Sequence, residues 1–266
     1  MTTPTPLPES AALTIETVER VHHWNEHLFS FALSRPASFR FRSGEFIMLG
    51  LHDGKKPLLR AYSIASPSYD EHIEFLSIKV EDGPLTSRLQ KIVPGDQVYL
   101  GKKPVGTLVA DALLPGKRLF LLSTGTGLAP FMSVARDPDI YDRFDEVIIV
   151  HSVRRVNDLA YREMLESRLA DDPLVGEEAA TRFHYVPTVT REPFHTSGRI
   201  DALIEDGTLF KGVSGPAKFD PFHDRIMMCG SNAMIHDMGK RFEAMGFDEG
   251  SNAQPGAYVI EKAFVG

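Results

Sequence analysis

The chain has 266 residues, enough for two domains with separate cores, and its 42% hydrophobic and 24% charged residues are those of a globular protein. Its longest apolar runs, such as Leu119–Leu122 and Val147–Val150, are far too short to cross a bilayer, and its net charge of −7 disfavours non-specific binding to nucleic acid. One cysteine, Cys229, excludes an internal disulfide and any cysteine-ligated iron–sulfur cluster within the chain, so the expectation is a cytoplasmic protein with no membrane association. The opening MTTPTPLPES lacks the basic and apolar regions of a signal peptide, and residues 1–10 read as a flexible leader.

From residue 11 to 114 the chain reads as short strands. Phe29, Phe31 and Leu33 alternate with smaller residues, Ile73, Phe75 and Ser77 continue the pattern, and Glu45–Leu51, Ala61–Ala65 and Gln97–Leu100 are further candidates. Ser43-Gly44, Asp53-Gly54, Asp82-Gly83-Pro84 and Pro94-Gly95 separate them as turns. This predicts an N-terminal antiparallel β-barrel.

The pattern changes near Leu114-Pro115-Gly116. Arg118–Ser123 reads as a strand followed by a glycine loop and a helix through Arg136, and Glu146–His151 as a strand followed by a helix over Leu159–Asp171. Phe183–Pro187 and Asp224–Cys229 are further strands, the second followed by a helix over Ala233–Met245. Strands alternating with helices predict that residues 115–266 form an α/β, Rossmann-like domain with a mostly parallel sheet. The charge is uneven: residues 1–112 carry 12 Lys/Arg and 13 Asp/Glu, and residues 113–266 carry 17 and 23. An acidic partner would meet less repulsion at the N-terminal half.

The segment Leu119 to Pro130 contains Gly125-Thr126-Gly127 between a strand and a helix start. Such a loop brings backbone N–H groups close to a pyrophosphate, although alone it also fits a plain tight turn. No Gly-Lys-Ser/Thr follows, so it is not a Walker loop. Thr190 and Arg191 after the third strand, with Arg199 beyond and Arg154 and Arg155 after the second, suit a ribose 2′-phosphate and favour NADP over NAD.

Arg60-Ala61-Tyr62-Ser63-Ile64-Ala65-Ser66 resembles the flavin signature of ferredoxin–NADP reductases, and Ile78-Lys79-Val80 with Gly83-Pro84-Leu85-Thr86-Ser87 is similar to their second flavin motif. Gly125 to Pro130 resembles the NADP loop of that family, Met228-Cys229-Gly230-Ser231 its Cys-Gly motif, and Glu261-Lys262-Ala263-Phe264-Val265-Gly266 the ending of its bacterial type. The match spans nearly the whole chain in order.

The resemblance implies FAD on the barrel and NADP(H) on the α/β domain, with a C-terminal segment returning to the flavin. Tyr62 would stack on the isoalloxazine and Ala263 cover its other face, Ser63 would reach toward N5, and Phe264 would pack on the adenine. Arg60 with the backbone N–H groups of Thr86 and Ser87 would hold the FAD pyrophosphate, and Ile78, Lys79, Val80, Pro84, Leu85 and Thr126 would complete the FAD site. Gly125, Gly127, Arg154, Thr190, Arg191, Arg199, Cys229, Gly230 and Ser231 would bind NADP. Cys229 would border the nicotinamide as a positioning group, and Glu261 is the nearest carboxylate for a catalytic role.

The implied activity is electron transfer between NADPH and a one-electron carrier, ferredoxin or flavodoxin, by a monomeric enzyme. Lys55, Lys56, Arg88, Lys102 and Lys103 are candidates for steering an acidic carrier, an attraction that salt would screen. The rival readings are the reductase component of an oxygenase system and a flavin-binding redox sensor without turnover. The ten histidines match no known metal cage, His22 and His23 beside Trp24 included.

Overall fold

The computed structural model of this chain describes residues 7, 8 and 11–262. The remainder of the expected leader, and the sequence from Ala263 onward, lie outside the described residues. Leu7 and Pro8 are held against the barrel, where the Leu7 N–H donates to Gln97 Oε1 at 3.1 Å and the Tyr99 hydroxyl donates to the Pro8 carbonyl at 2.8 Å.

Six strands form the first sheet: β1 (Leu13–His23), β2 (Leu28–Ser34), β3 (Phe46–His52), β4 (Pro57–Ser63), β5 (His72–Ile78) and β6 (Gln97–Gly101). They run in the order β4-β3-β6-β1-β2-β5, every pair antiparallel. An isolated bridge between Ile64, just after β4, and Phe75 of β5 brings the two ends of the sheet together into a barrel. Phe29, Phe31, Ile47, Leu49, Phe75 and Val98 fill its centre, every second residue pointing inward. A single helical turn, α1 (Thr86–Leu89), adds Leu89 to that core.

The longest strand, β1, had no clear signal in the sequence. Thr14, Ile15, Thr17, Val18 and Val21 favour extended backbone, but the alternation fails because Glu19 is an extra residue between Val18, opposite Leu33, and Arg20, opposite Ala32. This bulge turns β1 from pairing with β6 over residues 13–17 to pairing with β2 over residues 18–23.

The second sheet holds β7 (Arg118–Thr124), β8 (Glu146–Val153), β9 (Phe183–Val189), β10 (Asp224–Gly230) and β11 (Tyr258–Lys262), all parallel, in the order β11-β10-β7-β8-β9. Its strands are apolar on both sides: Leu119 and Leu121 enter one core, Phe120 and Leu122 the other. The helices are α2 (Ala129–Val134), α3 (Pro138–Arg143), α4 (Arg162–Glu166), α5 (Gly176–Arg182), α6 (Ile200–Glu205) and α7 (Asn232–Ala244). From β7 the chain builds outward to β9, then crosses back to place β10 on the other side of β7. That reversal opens a crevice at the C-terminal ends of β7 and β10, where sheets of this kind bind ligands.

Two expected helices are shorter than the periodicity suggested. The one through Arg136 ends at Val134, and the one over Leu159–Asp171 is reduced to α4. Tyr161, Arg168 and Leu169 have left-handed φ of 57°, 54° and 57°, which breaks the helix on both sides. Tertiary contacts impose those breaks: the Tyr161 ring packs against Trp24 at a tilt of 56° with centroids 4.8 Å apart, and its hydroxyl donates to Glu74 Oε1 at 2.9 Å, while Leu169 is buried.

The two domains are joined through polar contacts as well as a shared apolar cluster. Asp172 accepts from the barrel's Tyr69 hydroxyl at 2.7 Å and pairs with Arg136 at 3.0 Å. Burial opposes its charge, but Tyr69, Arg136 and the N–H groups of Leu174 and Val175 outweigh burial and hold the carboxyl below its ordinary range.

Candidate functional site

The crevice at the β7–β10 reversal is a cavity of about 810 Å³, large enough for a dinucleotide. The β7 loop supplies Thr124, Gly125 and Thr126, the end of β8 supplies Ser152 to Arg154, and Thr190 closes β9. Arg199, Ile200 and Glu205 come from α6 and its start, and Ser231, Met234 and Arg241 from α7 and its cap. The barrel contributes Leu28 and Ile78, which face each other across β2 and β5. Both domains therefore line one space.

The loop is locked onto the neighbouring strand. A Cβ on Gly127 would lie 2.2 Å from the Cys229 carbonyl oxygen and 2.5 Å from its carbon, so only glycine permits this approach. Across the crevice, the Ser231 N–H donates to Thr124 Oγ1 at 2.9 Å, and the Ser231 hydroxyl caps α7 at the Met234 N–H. Gly127, Gly230 and Cys229 thus support the cavity from beneath without lining it, whereas Gly125, Thr126 and Ser231 line it. Thr126, expected on the flavin side, lines the cavity with Thr124 and Gly125 of the glycine loop.

Charges in the cavity are mixed. Arg241 is already paired with Glu205 at 3.1 Å, and Asp158 accepts from the Arg155 N–H at 3.1 Å and from Asn25 at 3.0 Å. Among the described residues the guanidinium groups of Arg154, Arg191 and Arg199 have no carboxylate partner. Arg154 and Arg199 line the cavity, while Arg191 stands at its edge, its backbone N–H donating to the Arg154 carbonyl at 3.0 Å.

On the barrel, Tyr62 lies half-buried with its ring edge-on to Phe31 and Phe75, and Ser77 Oγ reaches its hydroxyl at 3.5 Å. Ser77 precedes Ile78, so the two flavin-like motifs meet beside the cavity. Arg60 is exposed on β4 two residues before Tyr62, and Ala61 and Ser63 flank that ring's backbone. Lys79 Nζ donates to the Asn25 carbonyl at 2.6 Å, and the Val80 carbonyl accepts from the Gly83 N–H at 3.2 Å. Pro84 is exposed, and Leu85 is buried in the barrel core. Thr86 begins α1, but the expected Ser87 N–H is occupied, donating to the Gly83 carbonyl at 3.1 Å. The turn closes on itself there, which removes that donor from the expected pyrophosphate clamp. Ala263 and Phe264 fall outside the described residues.

Strand register brings Ser63 to the end of the barrel that holds Glu261. Ser63 pairs with Phe46, Phe46 bridges to Val105, and a Cβ on Gly106 would lie 3.6 Å from Glu261 Oε2. That oxygen is 3.2 Å from both the Thr107 N–H and Thr107 Oγ1, and the Thr107 hydroxyl is 2.7 Å from the Ile260 carbonyl. Burial raises the Glu261 carboxyl above its ordinary range, the Thr107 contacts offsetting part of the rise. Glu261 lies opposite Cys229 in the β10–β11 register. Burial first, and then the Glu261 charge, push the Cys229 thiol well up, which favours its neutral form.

The five expected steering cations are divided by the fold. Lys55 and Lys56 occupy the β3–β4 turn, and Arg88 donates to His52 at the same end. Lys102 and Lys103 follow β6, which runs antiparallel to β3, and so lie at the opposite end, with Val105 and Glu261.

Sequence reasoning missed His151, buried at the end of β8. Its Nε2 is 3.1 Å from the Gly125 carbonyl oxygen and its Nδ1 3.3 Å from the Tyr185 hydroxyl. Burial pushes its pKa down to about 4, against a smaller opposing effect of the Gly125 carbonyl, so the ring is neutral near pH 7. Its only signal in the sequence was a polar residue ending an apolar strand.

Two family models match: an oxidoreductase FAD-binding domain over residues 12–109 and an oxidoreductase NAD-binding domain over residues 121–240. The chain is 53% identical over 253 residues to ferredoxin–NADP reductase A of Sorangium cellulosum, covering 95% of this chain and 91% of the relative. It is 54% identical to a flavodoxin/ferredoxin–NADP reductase of Rhodobacter capsulatus, covering 94% and 93%. A crystal structure of a ferredoxin NADP+ reductase from Neisseria gonorrhoeae with bound FAD and NADP superposes with a TM-score of 0.85 at 32% identity, covering 96% of this chain and all of that one.

Proposed function

Because this chain belongs to the ferredoxin–NADP reductase family, we propose that it carries electrons between NADPH and ferredoxin or flavodoxin by way of FAD on its barrel. The observation that carries this reading is the single cavity to which the glycine loop of one domain and Ile78 of the other both contribute. The residues present fit both nucleotides: free arginines line the crevice, and a half-exposed tyrosine stands beside an exposed arginine on the barrel. Bound FAD supplies an acceptor for the NADPH hydride and a donor of single electrons.

The chain's own part is to bind, align and exclude water. Arg154, Arg191 and Arg199 hold the 2′-phosphate end, and Gly125 and Thr126 hold the pyrophosphate. Arg60 anchors FAD, and Tyr62 and Ser63 orient its ring. Residues 11–114 form the FAD domain and 115–266 the NADP domain. Lys102 and Lys103, at the Ser63 end of the barrel, are placed to meet an acidic carrier. The protein acts as a monomer, one chain supplying both sides of the cavity. No helix among the described residues is long and apolar enough to cross a membrane, and a single cysteine suits a cytoplasmic setting.

Stopped-flow reduction of the FAD-loaded protein by NADPH and by NADH tests this reading. Hydrogen bonds to charged groups contribute about 1.5–3 kcal/mol, so NADPH is expected to be favoured by roughly 10- to 150-fold in kcat/KM. Equal rates would reject the arginine assignment, and no bleaching by either would reject the reductase.

Cys229→Ser carries a second expectation. Buried Cys229 lies opposite Glu261 in the β10–β11 register with its backbone carbonyl against Gly127, and serine puts a more strongly solvated hydroxyl in place of the thiol. Flavin reduction should slow by about tenfold with FAD still bound, a loss of roughly 1.4 kcal/mol in the barrier. An unchanged single-turnover rate would remove Cys229 from the alignment of the nicotinamide.

A further inference from the structure

His151 does not line the nucleotide cavity, yet both of its ring nitrogens are engaged at its floor. A carbonyl can only accept, so the 3.1 Å contact to Gly125 requires the hydrogen on Nε2. The bare Nδ1 of the neutral ring then accepts from the Tyr185 hydroxyl at 3.3 Å, which selects that tautomer. A trans peptide holds its C=O and N–H on opposite sides. With no cis peptides among the described residues, a Gly125 carbonyl turned down onto His151 turns the Thr126 N–H up, on the side where Thr126 lines the cavity.

On its glycine side the peptide is free to turn: Gly125 has φ +55°, and a Cβ there would meet nothing within 4 Å. On its other side the 3-10 turn Gly125–Leu128 and the β-branched Thr126 oppose a flip, and the His151 contact adds to that restraint from below. A flipped peptide would present a carbonyl oxygen to the nucleotide's phosphates in place of an N–H donor.

We propose that His151, backed by Tyr185, is a positioning residue that holds the Gly125–Thr126 peptide with its N–H toward the pyrophosphate of the nicotinamide nucleotide. It acts through the peptide and touches neither nucleotide nor flavin. The inference rests on the reductase reading, and the wild-type protein checks that first: if NADPH does not reduce its FAD, the reading itself has failed.

The test compares two ligands on the FAD-loaded protein: NADP+, and adenosine 2′-monophosphate, which has the 2′-phosphate but no pyrophosphate. His151→Leu should weaken NADP+ about tenfold and raise the KM for NADPH to match. Binding of adenosine 2′-monophosphate and kcat at saturation should stay within about twofold of wild type. His151→Gln, which can still offer an N–H to the carbonyl, should recover most of the loss. Tyr185→Phe keeps the ring and frees its tautomer, and should weaken NADP+ by about threefold with the same ligand selectivity. Equal loss for both ligands would show general damage to the cavity and overturn the proposal, as would unchanged NADP+ affinity. If His151→Leu does not fold, Tyr185→Phe and His151→Gln decide it by the same comparison.

Discussion

Replacing Gly127 by valine is expected to lower kcat/KM for NADPH by at least about 100-fold while the protein stays yellow. The first added carbon would lie 2.2 Å from the Cys229 carbonyl oxygen, 2.5 Å from its carbon and 2.8 Å from the Gly230 nitrogen. All three are backbone atoms in or at the end of a central strand, so they cannot swing aside as a flexible side chain would. The loop must lift instead, breaking the 2.9 Å bond from the Ser231 N–H to Thr124 and the 3.1 Å contact of the Gly125 carbonyl with His151. A displacement on the order of 1 Å in a group that aligns a substrate costs about 100-fold. FAD should remain bound at one per chain, because Arg60, Tyr62 and Ser63 stand on the barrel. Stopped-flow reduction together with the flavin-to-protein absorbance ratio measures both halves, and near-normal reduction by NADPH would refute the close-packing argument.

Arg118→Met should reduce stability by about 3–5 kcal/mol, the cost of leaving a buried charge without its partner. Arg118 and Asp224 are opposite each other where β7 and β10 begin, with side chains only 6% and 0% exposed. The guanidinium donates to both Asp224 oxygens at 2.7 Å, to the Ser214 and Pro216 carbonyls at 2.9 and 3.1 Å, and to the Lys218 carbonyl at 3.0 Å. Its carbon lies 5.3 Å from the centre of the Phe120 ring. Methionine fills much of the same space but satisfies none of those acceptors. At ~2–4 °C per kcal/mol for a domain of this size, the melting temperature should fall on the order of 10 °C. Adding Asp224→Leu removes the orphaned carboxylate and should recover part of the loss, since an apolar pair can replace a buried ion pair. A fall below about 2 °C in Arg118→Met would show that the 214–218 segment relaxes to solvate Asp224.

The two-domain architecture and its cofactors were legible in the chain because they rest on local signals. Period-two alternation in Phe29–Leu33, uninterrupted apolar runs such as Leu119–Leu122, and glycines at turns depend on neighbours within a few residues. The flavin and nucleotide motifs are likewise contiguous, which is why Arg60 to Ser63 and Gly125 to Thr126 could be singled out before any fold was known.

What failed was the regular part of that logic, wherever a distant contact overrode it. The bulge at Glu19 spoiled the alternation of β1, and Trp24 and Glu74 of the barrel hold Tyr161 in a left-handed turn that ends the helix expected over Leu159–Asp171. The basic residues were visible, but only the antiparallel course of β3 and β6 shows that Lys55 and Lys56 stand at one end of the barrel and Lys102 and Lys103 at the other.

Composition and periodicity alone thus determined a barrel followed by a parallel sheet, and contiguous motifs determined the nucleotides each would carry. The tertiary structure alone decided that His151 meets the carbonyl of Gly125, that Glu261 lies beside Cys229 and Thr107, and that Asp172 fastens Tyr69 to Arg136. Each of these contacts joins residues between 26 and 154 positions apart. A hydrogen bond of that span leaves no period in the chain, because its geometry exists only once the sheets have set the distance between its ends.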